Sequence, residues 1–231
     1  MLDFSNFEVL TFDCYGTLID WETGILSALK PVLAAHGKSL ADEKLLEFYG
    51  DLEAEAEAGE YRPYGEILRS VVRNLGKQLS FTPTVDEGNV LLLSLPRWRP
   101  WPDTVDALEK LRTRYRLAII SNIDDLLFES TRPQLHADFE NVTTAQQARC
   151  YKPGLEIFRK ALERLSVAPA RVLHVGQSVY HDVLPAQSLG LGTVWVKRPS
   201  VRSGIGAVRS VSGQPDLEVP DLATLAALAT A

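Results

Sequence analysis

Residues 7–18, with the sequence FEVLTFDCYGTL, contain the feature that decides the fold. The first six residues form a short apolar run, which is typical of a buried β-strand. The run ends directly at Asp13, so we expect this carboxylate to lie just past the carboxyl end of the strand. In open parallel sheets, ligands bind at the carboxyl ends of the strands. Asp13 is therefore the first candidate for a functional residue.

The chain after Asp13 divides into a helical part and a part in which strands and helices alternate. Residues 24–35 and 39–95 have helical spacing, with breaks at 59–63 and 80–83, and a proline-rich connector follows at residues 96–102. Beyond it we expect strands at residues 117–120, 141–144, 172–175 and 193–196, with helices at 124–135, 155–165 and 183–189 between them.

Strands separated by helices of this length predict a parallel sheet with right-handed crossovers, covered on both faces. The predicted fold class is therefore α/β. Residues 1–20 and 96–231 are expected to form a Rossmann-like catalytic core, and residues 21–95 an inserted, all-helical cap.

Three local patterns give further predictions. Asp103 is placed to cap the helix that follows the connector. Residues 198–215, rich in Ser and Gly, are predicted to be a loop before a closing helix at 221–229. The stretch EAEAE at residues 53–57 is interpreted as the solvated face of a helix rather than a metal site.

The composition excludes several classes of partner. The formal net charge of −6 argues against a surface for nucleic acid or anionic membrane, because both require a basic patch. No apolar run approaches the roughly 20 residues needed to span a bilayer, so we expect a cytoplasmic enzyme. The two cysteines, Cys14 and Cys150, are too few for a disulfide framework.

Polar residues follow the predicted strand ends in several separate segments. The motifs are DCYGTL at residues 13–18, Ser121-Asn122, Lys152-Pro153 and GQSVYHD at residues 176–182. In this order they resemble the four motifs of the haloacid dehalogenase superfamily, and the helical insertion after the first strand agrees with that family. The resemblance covers nearly the whole chain. It implies a hydrolase in which Asp13 is the nucleophile.

Two positions differ from the phosphatases of that superfamily. The phosphatases have an aspartate two residues after the nucleophile, which protonates the leaving group, and this chain has Tyr15 there. They also have an acidic magnesium ligand where this chain has Gln177. Hydrolysis of a phosphate ester needs both the proton donor and the magnesium ligand, whereas a halide leaves as a stable anion without a proton. The variant Asp-X-Tyr-Gly-Thr is similar to that of the family's 2-haloacid dehalogenases.

The resemblance also implies roles for the remaining motif residues. Asp13 would attack carbon 2 of a short 2-haloacid and form an aspartyl ester, which water then hydrolyses to a 2-hydroxy acid. Lys152 would orient the Asp13 carboxylate, and Asp182 would hold Lys152 and position or activate the water. Thr17 and Ser121 would donate hydrogen bonds to the nucleophile or the substrate, and Asn122 would line the same pocket.

Other substrate contacts are expected around this centre. Tyr15, Gln177 and Ser178 belong to the motif loops, and His181 is either a pocket wall, a base or a structural residue. The family's dehalogenases use an arginine from the cap to bind the halide. Arg62, within the segment YRPY at residues 61–64, is the best candidate for that arginine, although a solvated side chain remains an alternative.

The sequence leaves three classes of function open. The leading hypothesis is a 2-haloacid dehalogenase that needs no cofactor or metal, acts on a small anionic haloacid and forms a possible homodimer. The alternatives are a phosphatase whose Mg²⁺ is held by Asp13 and Asp182, and a catalytically idle family member that serves as a binding module.

Overall fold

The core of the protein is a parallel β-sheet with six strands. The computed structural model describes residues 2–200, 207–208 and 211–231. Its strands are β1 (Val9–Phe12), β2 (Arg116–Ser121), β3 (Asn141–Thr144), β4 (Val172–Gly176), β5 (Gly192–Val196) and β6 (Leu217–Val219). They are ordered β3-β2-β1-β4-β5-β6, and every neighbouring pair is parallel. The predicted α/β class with a Rossmann-like sheet is confirmed.

Helices connect these strands and cover the sheet. In chain order they are α1 (Trp21–Ala35), α2 (Asp42–Glu57), α3 (Tyr64–Gln78), α4 (Val90–Ser94), α5 (Thr104–Leu111), α6 (Asp125–Thr131), α7 (Ala145–Ala148), α8 (Glu156–Leu165), α9 (Leu184–Ser188) and α10 (Leu222–Ala229). A π-helical turn, Val179–Val183, precedes α9. Helices α1 to α4 belong to the segment expected to form the cap.

The central strand β1 explains why Asp13 is so well fixed. All four of its residues are buried, and it pairs with β2 on one side and β4 on the other. Burial of large apolar side chains such as those of Leu10 and Phe12 contributes roughly 1.5–3 kcal/mol each. The backbone N–H of Asp13 also donates to the carbonyl of Val175, at 3.0 Å, and so extends the pairing with β4 by one residue.

The chain leaves the core and returns to it through two adjacent segments. Ile19 forms an antiparallel bridge with Pro100, and the N–H of Asp20 donates to the carbonyl of Arg99 at 2.8 Å. Between these points, α2 and α3 pack on each other through buried apolar faces, with Leu45 and Leu46 on α2 and Ile67 and Val71 on α3. This arrangement supports a division into core and cap near residues 20 and 96, which remains a proposal.

Two features at the C-terminal side differ from the prediction. Strand β6 lies where no strand was expected, paired in parallel with β5. Asp103 makes no side-chain cap on α5. Its carboxylate binds the guanidinium of Arg198 at 2.7 Å and accepts the backbone N–H of Leu222, also at 2.7 Å. Asp103 therefore helps to cap the distant helix α10. The Arg198 guanidinium and the backbone N–H of Leu222 bind its carboxylate in place of the N–H groups of α5.

Part of the loop predicted at residues 198–215 lies outside the described residues. In the described part of the chain, helix lengths and hydropathies rule out a segment that could cross a membrane as a helix. Both cysteines of the chain are free thiols.

Candidate active site

The carboxyl ends of three strands and one loop bring the predicted residues together. Asp13 follows β1, Ser121 ends β2, Gln177 follows β4, and Lys152 comes from the loop between α7 and α8. Because these strands are parallel neighbours, their carboxyl ends meet at one edge of the sheet. All four side chains line a single small cavity.

Lys152 is the electrostatic centre of the site. Its ammonium group donates to Asp13 Oδ1 at 2.8 Å, to Asp182 Oδ1 at 2.6 Å and to the carbonyl of Ile120 at 3.1 Å. Burial lowers the pKa of Lys152, but the two carboxylates outweigh burial and hold that pKa above its ordinary value. The side chain is only 2% exposed, so a charged lysine here is stable only because it is fully paired.

The second oxygen of Asp13 is held by a chain of hydrogen bonds. The Thr17 hydroxyl donates to Asp13 Oδ2 at 2.7 Å and accepts the backbone N–H of Gln177 at 2.9 Å. Each carboxylate oxygen of Asp13 therefore has one donor, and the group is fixed in orientation. Burial raises the pKa of Asp13 above its ordinary value, and Lys152 and Thr17 partly offset that effect.

Asp182, the last residue of the fourth motif, packs closely against Gly176, the first residue of that motif. A Cβ on Gly176 would lie 2.4 Å from the Asp182 side chain, so only glycine permits this approach. Asp182 Oδ1 lies 3.3 Å from His174 Nε2, and Oδ2 accepts the N–H of Ser178 at 3.2 Å. Burial raises the pKa of Asp182, but the Lys152 ammonium and the His174 ring outweigh it and keep that pKa below its ordinary value.

The side chains of Asn122 and Ser121 differ in their hydrogen bonds. The Asn122 amide accepts the N–H of Lys152 at 2.7 Å and donates to its carbonyl at 3.2 Å, so it fixes the loop that carries the lysine. Ser121 is 1% exposed, and within the described part of the chain its Oγ has no hydrogen-bond partner. Its hydroxyl is therefore available to a ligand in the cavity.

Tyr15 is not placed to act as an acid or a base. Its hydroxyl is 2.8 Å from the hydroxyl of Thr131 on α6, and its ring contacts Trp98 edge-on. Burial raises the pKa of Tyr15 well above its ordinary value, so it stays protonated and remains a hydrogen-bonded wall of the cavity.

Acidic and aromatic residues of helices α1 to α3, none of them predicted to belong to the site, also line the cavity. Glu53 and Glu57 on α2, Tyr64 on α3 and Trp21 on α1 line it together with Asp13. The cavity volume is about 40 Å³, enough for a few water molecules, so only a small ligand fits it.

The interpretation of residues 53–57 as a solvated face is therefore wrong for Glu53. Glu53 is 7% exposed, and its Oε1 accepts the hydroxyls of Tyr49, at 2.7 Å, and Tyr64, at 2.6 Å. Burial raises the pKa of Glu53 to about 7, although the two tyrosine hydroxyls lower it. Glu55, on the other side of the helix, is exposed as expected.

The structure does not bring Arg62 to the cavity. Its guanidinium donates to the carbonyl of Ala56 at 2.6 Å and to the Ser70 hydroxyl at 3.4 Å, so it ties α2 to α3 within the cap. The prediction that Arg62 binds the halide fails because a nearby backbone carbonyl captures the side chain.

His181 and Ser178 both line the cavity. The Ser178 hydroxyl accepts the backbone N–H of His181 at 3.0 Å and lies 3.4 Å from its ring Nδ1. This contact caps the π-helical turn and holds the imidazole at the cavity wall.

The residues present do not fit a magnesium ion. Asp13 and Asp182 both direct an oxygen at the Lys152 ammonium, and Gln177 supplies a neutral amide where a carboxylate would be needed. Mg²⁺ is bound through carboxylates in a nearly ideal octahedron. Across residues 2–200, 207–208 and 211–231, no three His, Cys, Asp or Glu side chains are grouped to hold a metal ion.

Fold and site together define an α/β protein with a buried and oriented carboxylate at the edge of its sheet. A family model for haloacid dehalogenase-like hydrolases matches residues 7–190, which is more than half of the chain. The chain belongs to this family.

The names of relatives within the family include two different activities. An (S)-2-haloacid dehalogenase of Pseudomonas sp. (strain CBS-3) is 25% identical over 195 residues, which are 81% of this chain and 83% of the relative. A glyceraldehyde 3-phosphate phosphatase of Methanothermobacter thermautotrophicus is 35% identical over 101 residues, 42% of this chain. The chain thus spans only 45% of the length of that phosphatase.

Solved structures agree on the fold. An L-2-haloacid dehalogenase from Xanthobacter autotrophicus superposes with a TM-score of 0.80 at 23% identity, covering 96% of this chain and 98% of that one. A putative hydrolase of the same superfamily from Bacillus subtilis, bound to magnesium, superposes with a TM-score of 0.79 at 19% identity, covering 97% and 99%. At these identities the likeness concerns the fold alone.

Proposed function

We propose that this hydrolase removes the halogen from a short 2-haloacid through an aspartyl ester on Asp13 and releases a 2-hydroxy acid. One observation carries the proposal: Asp13 is oriented by Lys152 and Thr17, while the Tyr15 hydroxyl is bound to Thr131. The site therefore has a positioned nucleophile but lacks the acid that an alkoxide leaving group needs at position 15. A halide needs no such acid.

In the first step, a carboxylate oxygen of Asp13 attacks carbon 2 of the substrate. The new C–O bond forms as the carbon–halogen bond breaks, and the halide leaves with the bonding pair. Asp13 is only 8% exposed, so little water competes for its charge, which favours attack by the carboxylate. The substrate carboxylate accepts the free hydroxyl of Ser121.

In the second step, water attacks the carbonyl carbon of the Asp13 ester. The Lys152 ammonium stabilises the oxyanion that forms there, because it already lies 2.8 Å from Asp13 Oδ1. Asp182, which lines the cavity, positions the water. One proton of the water leaves to solvent during the attack, and the second passes from the regenerated Asp13 carboxyl to the departing alkoxide, which gives the hydroxy acid. Across both steps, haloacid and water give hydroxy acid, halide and one proton.

The relatives named (S)-2-haloacid dehalogenase support this proposal, since they align with more than four-fifths of the chain. The relatives named glyceraldehyde 3-phosphate phosphatase favour a second candidate, a phosphatase of a small phosphate ester. Tyr15 and Gln177 argue against this second candidate. They stand where the phosphatases have the aspartate that protonates the leaving group and the acidic magnesium ligand.

Halide release from chloroacetate, bromoacetate, fluoroacetate and 2-chloropropanoate tests the proposal directly. We expect release in the presence of EDTA, no change on adding Mg²⁺, and no release by the Asp13→Asn variant. Hydrolysis of phosphate esters that disappears in EDTA and returns with Mg²⁺ would replace dehalogenation by the phosphatase candidate. Activity on neither substrate class would favour an idle binding module.

A further inference from the structure

The cap wall of the cavity has an acidic character that haloacid hydrolysis does not require. Glu53 and Glu57 are four residues apart on α2, so both project from the same helix face, and both line the cavity with Asp13. Glu53 is buried, and Glu57 is partly exposed.

We propose that Glu53 and Glu57 bind a positively charged, ammonium-type group of the substrate. The preferred substrate would then be a short compound with an amino group at one end and the reacting carbon and carboxylate at the other. This inference rests on the proposed function for the reaction, but the binding of the ammonium group is testable without any turnover.

The charges lining the cavity are unbalanced. Four carboxyl groups, those of Asp13, Glu53, Glu57 and Asp182, line it, and among the described lining residues Lys152 is the only lysine or arginine. The Lys152 ammonium is already bound by Asp13, Asp182 and a backbone carbonyl. The cap carboxyls are therefore left without a directly bound cation in the described part of the site.

A cation in the cavity would offset the electrostatic cost of holding the Glu53 and Glu57 carboxylates close together. Two carboxylates one helical turn apart repel each other, and burial adds a desolvation cost. Burial raises the pKa of Glu57 well above its ordinary value, and the neighbouring Glu53 adds to the effect. An ammonium group between them would favour the ionised form of both carboxyls and would gain two charge-assisted hydrogen bonds.

Glu53 is oriented as a receptor for such a group. The hydroxyls of Tyr49 and Tyr64 both donate to its Oε1, which fixes the carboxyl against rotation. The rings of Trp21 and Tyr64 line the same cavity, and the faces of aromatic rings attract cations.

A second, independent feature indicates that the cavity holds a polar ligand. Ser121 is 1% exposed, lines the same cavity and has an Oγ without a partner among the described residues. Such a buried hydroxyl costs free energy unless a ligand satisfies it. A substrate carboxylate would accept a hydrogen bond from Ser121, and an ammonium group would donate to Glu53 and Glu57. A short zwitterion carries both groups.

Calorimetric titration with two unreactive probes, 4-aminobutanoate and butanoate, measures the subsite at pH 7. We expect the wild-type protein to bind the amino acid about 10-fold more tightly or better. Glu57→Gln should abolish this preference. It should preserve the fold, because Glu57 makes no hydrogen bond within the described residues. Glu53→Gln should weaken the preference as well.

Glu55→Gln is the matched control, because Glu55 has the same charge on the same helix but does not line the cavity. It should leave the preference unchanged. Equal binding of the two probes, failure of 4-aminobutanoate to bind at millimolar concentration, or a preference that survives Glu57→Gln would overturn the subsite.

Halide release from 4-amino-2-chlorobutanoate and 2-chlorobutanoate separates this inference from the proposed function. Turnover of both at equal kcat/KM would leave dehalogenation in place and overturn the subsite. Binding of 4-aminobutanoate that depends on Glu57, together with no halide release from either compound, would establish the subsite and refute dehalogenation. A kcat/KM about 10-fold higher for the amino compound supports both.

Discussion

Lys152 and Asp182 form an ion pair with only 2.6 Å between Nζ and Oδ1, and their side chains are 2% and 1% exposed. This pair anchors the lysine beneath Asp13, so the same ammonium group serves the stability of the core and the orientation of the nucleophile. Removing one partner of a buried ion pair leaves an uncompensated charge, which costs far more than the pair contributes.

Lys152→Ala should therefore both inactivate and destabilise the protein. We expect the free energy of unfolding to fall by about 3–5 kcal/mol, because Asp13 and Asp182 lose their shared cation. Lys30→Ala is the matched control, since the Lys30–Asp42 pair is exposed and worth about 1 kcal/mol or less. Urea unfolding of both variants measures the difference. Similar small losses in the two variants would contradict the assigned role of Lys152.

The buried Glu53 carboxyl predicts how stability depends on pH. Burial raises the pKa of Glu53 from 4.5 to about 7, so between these values the folded protein holds a proton that the unfolded chain has lost. The stabilisation is therefore complete below pH 4.5 and is lost as the pH rises towards 7, by up to about 3 kcal/mol. Unfolding free energies measured from pH 4 to 8 should fall less steeply in Glu53→Gln than in the wild type.

Glu55→Gln provides the comparison for that experiment, because Glu55 is exposed on the same helix. Its stability should follow the wild-type pH curve. If Glu53→Gln shows the wild-type curve as well, Glu53 is ionised in the folded protein at pH 5–7, and the assigned burial effect is wrong.

Tyr15 and Gln177 predict how difficult it is to convert this site into a phosphatase. Tyr15→Asp restores a proton donor but leaves the neutral Gln177 in place, so we expect no phosphatase activity from the single variant. The double variant with Gln177→Asp should show weak hydrolysis of p-nitrophenyl phosphate that depends on Mg²⁺. Adding Asp13→Asn should remove it. Strong phosphatase activity in the wild type would refute the distinction drawn between the two classes.

The sheet was predictable because its central strands are short apolar runs that end in polar residues. Residues 7–12, 117–120 and 172–175 have this pattern, and the polar residues that follow them lie at one edge of the sheet. Strand β6 was missed because only one of its three residues is buried. Its pairing with β5 comes from tertiary structure, and its own sequence has little strand character.

The cap contribution to the site was harder to predict. Glutamates at 53, 55 and 57 alternate with alanines, and nothing local distinguishes the buried Glu53 from the exposed Glu55. The available signal was helical spacing, since Tyr49, Glu53 and Glu57 follow one another at intervals of four residues and so share a face. The tyrosine-rich segment around Arg62 predicts a binding role, but the nearby Ala56 carbonyl determines where its guanidinium lies.

The origin of the oxygen in the product tests the nucleophile most directly. In the two-step scheme, an Asp13 carboxylate oxygen becomes the new oxygen on carbon 2, and water later attacks the ester carbonyl. A single turnover in H₂¹⁸O with enzyme in excess should therefore give a 2-hydroxy acid with unlabelled oxygen at carbon 2. The ¹⁸O should appear in the peptide that contains Asp13, as measured by mass spectrometry.

Two variants sharpen this test. Asp13→Asn should abolish the reaction, because an amide is a poor nucleophile. Asp182→Asn should slow hydrolysis of the ester more than its formation, so that the ester accumulates as a mass adduct on Asp13, provided that the variant keeps the wild-type circular dichroism spectrum. If the product carries ¹⁸O at carbon 2 in the first turnover, Asp13 acts as a base that activates water. The aspartyl ester would then have to be abandoned, although the contacts of Lys152 and Thr17 with Asp13 would still explain how that base is oriented.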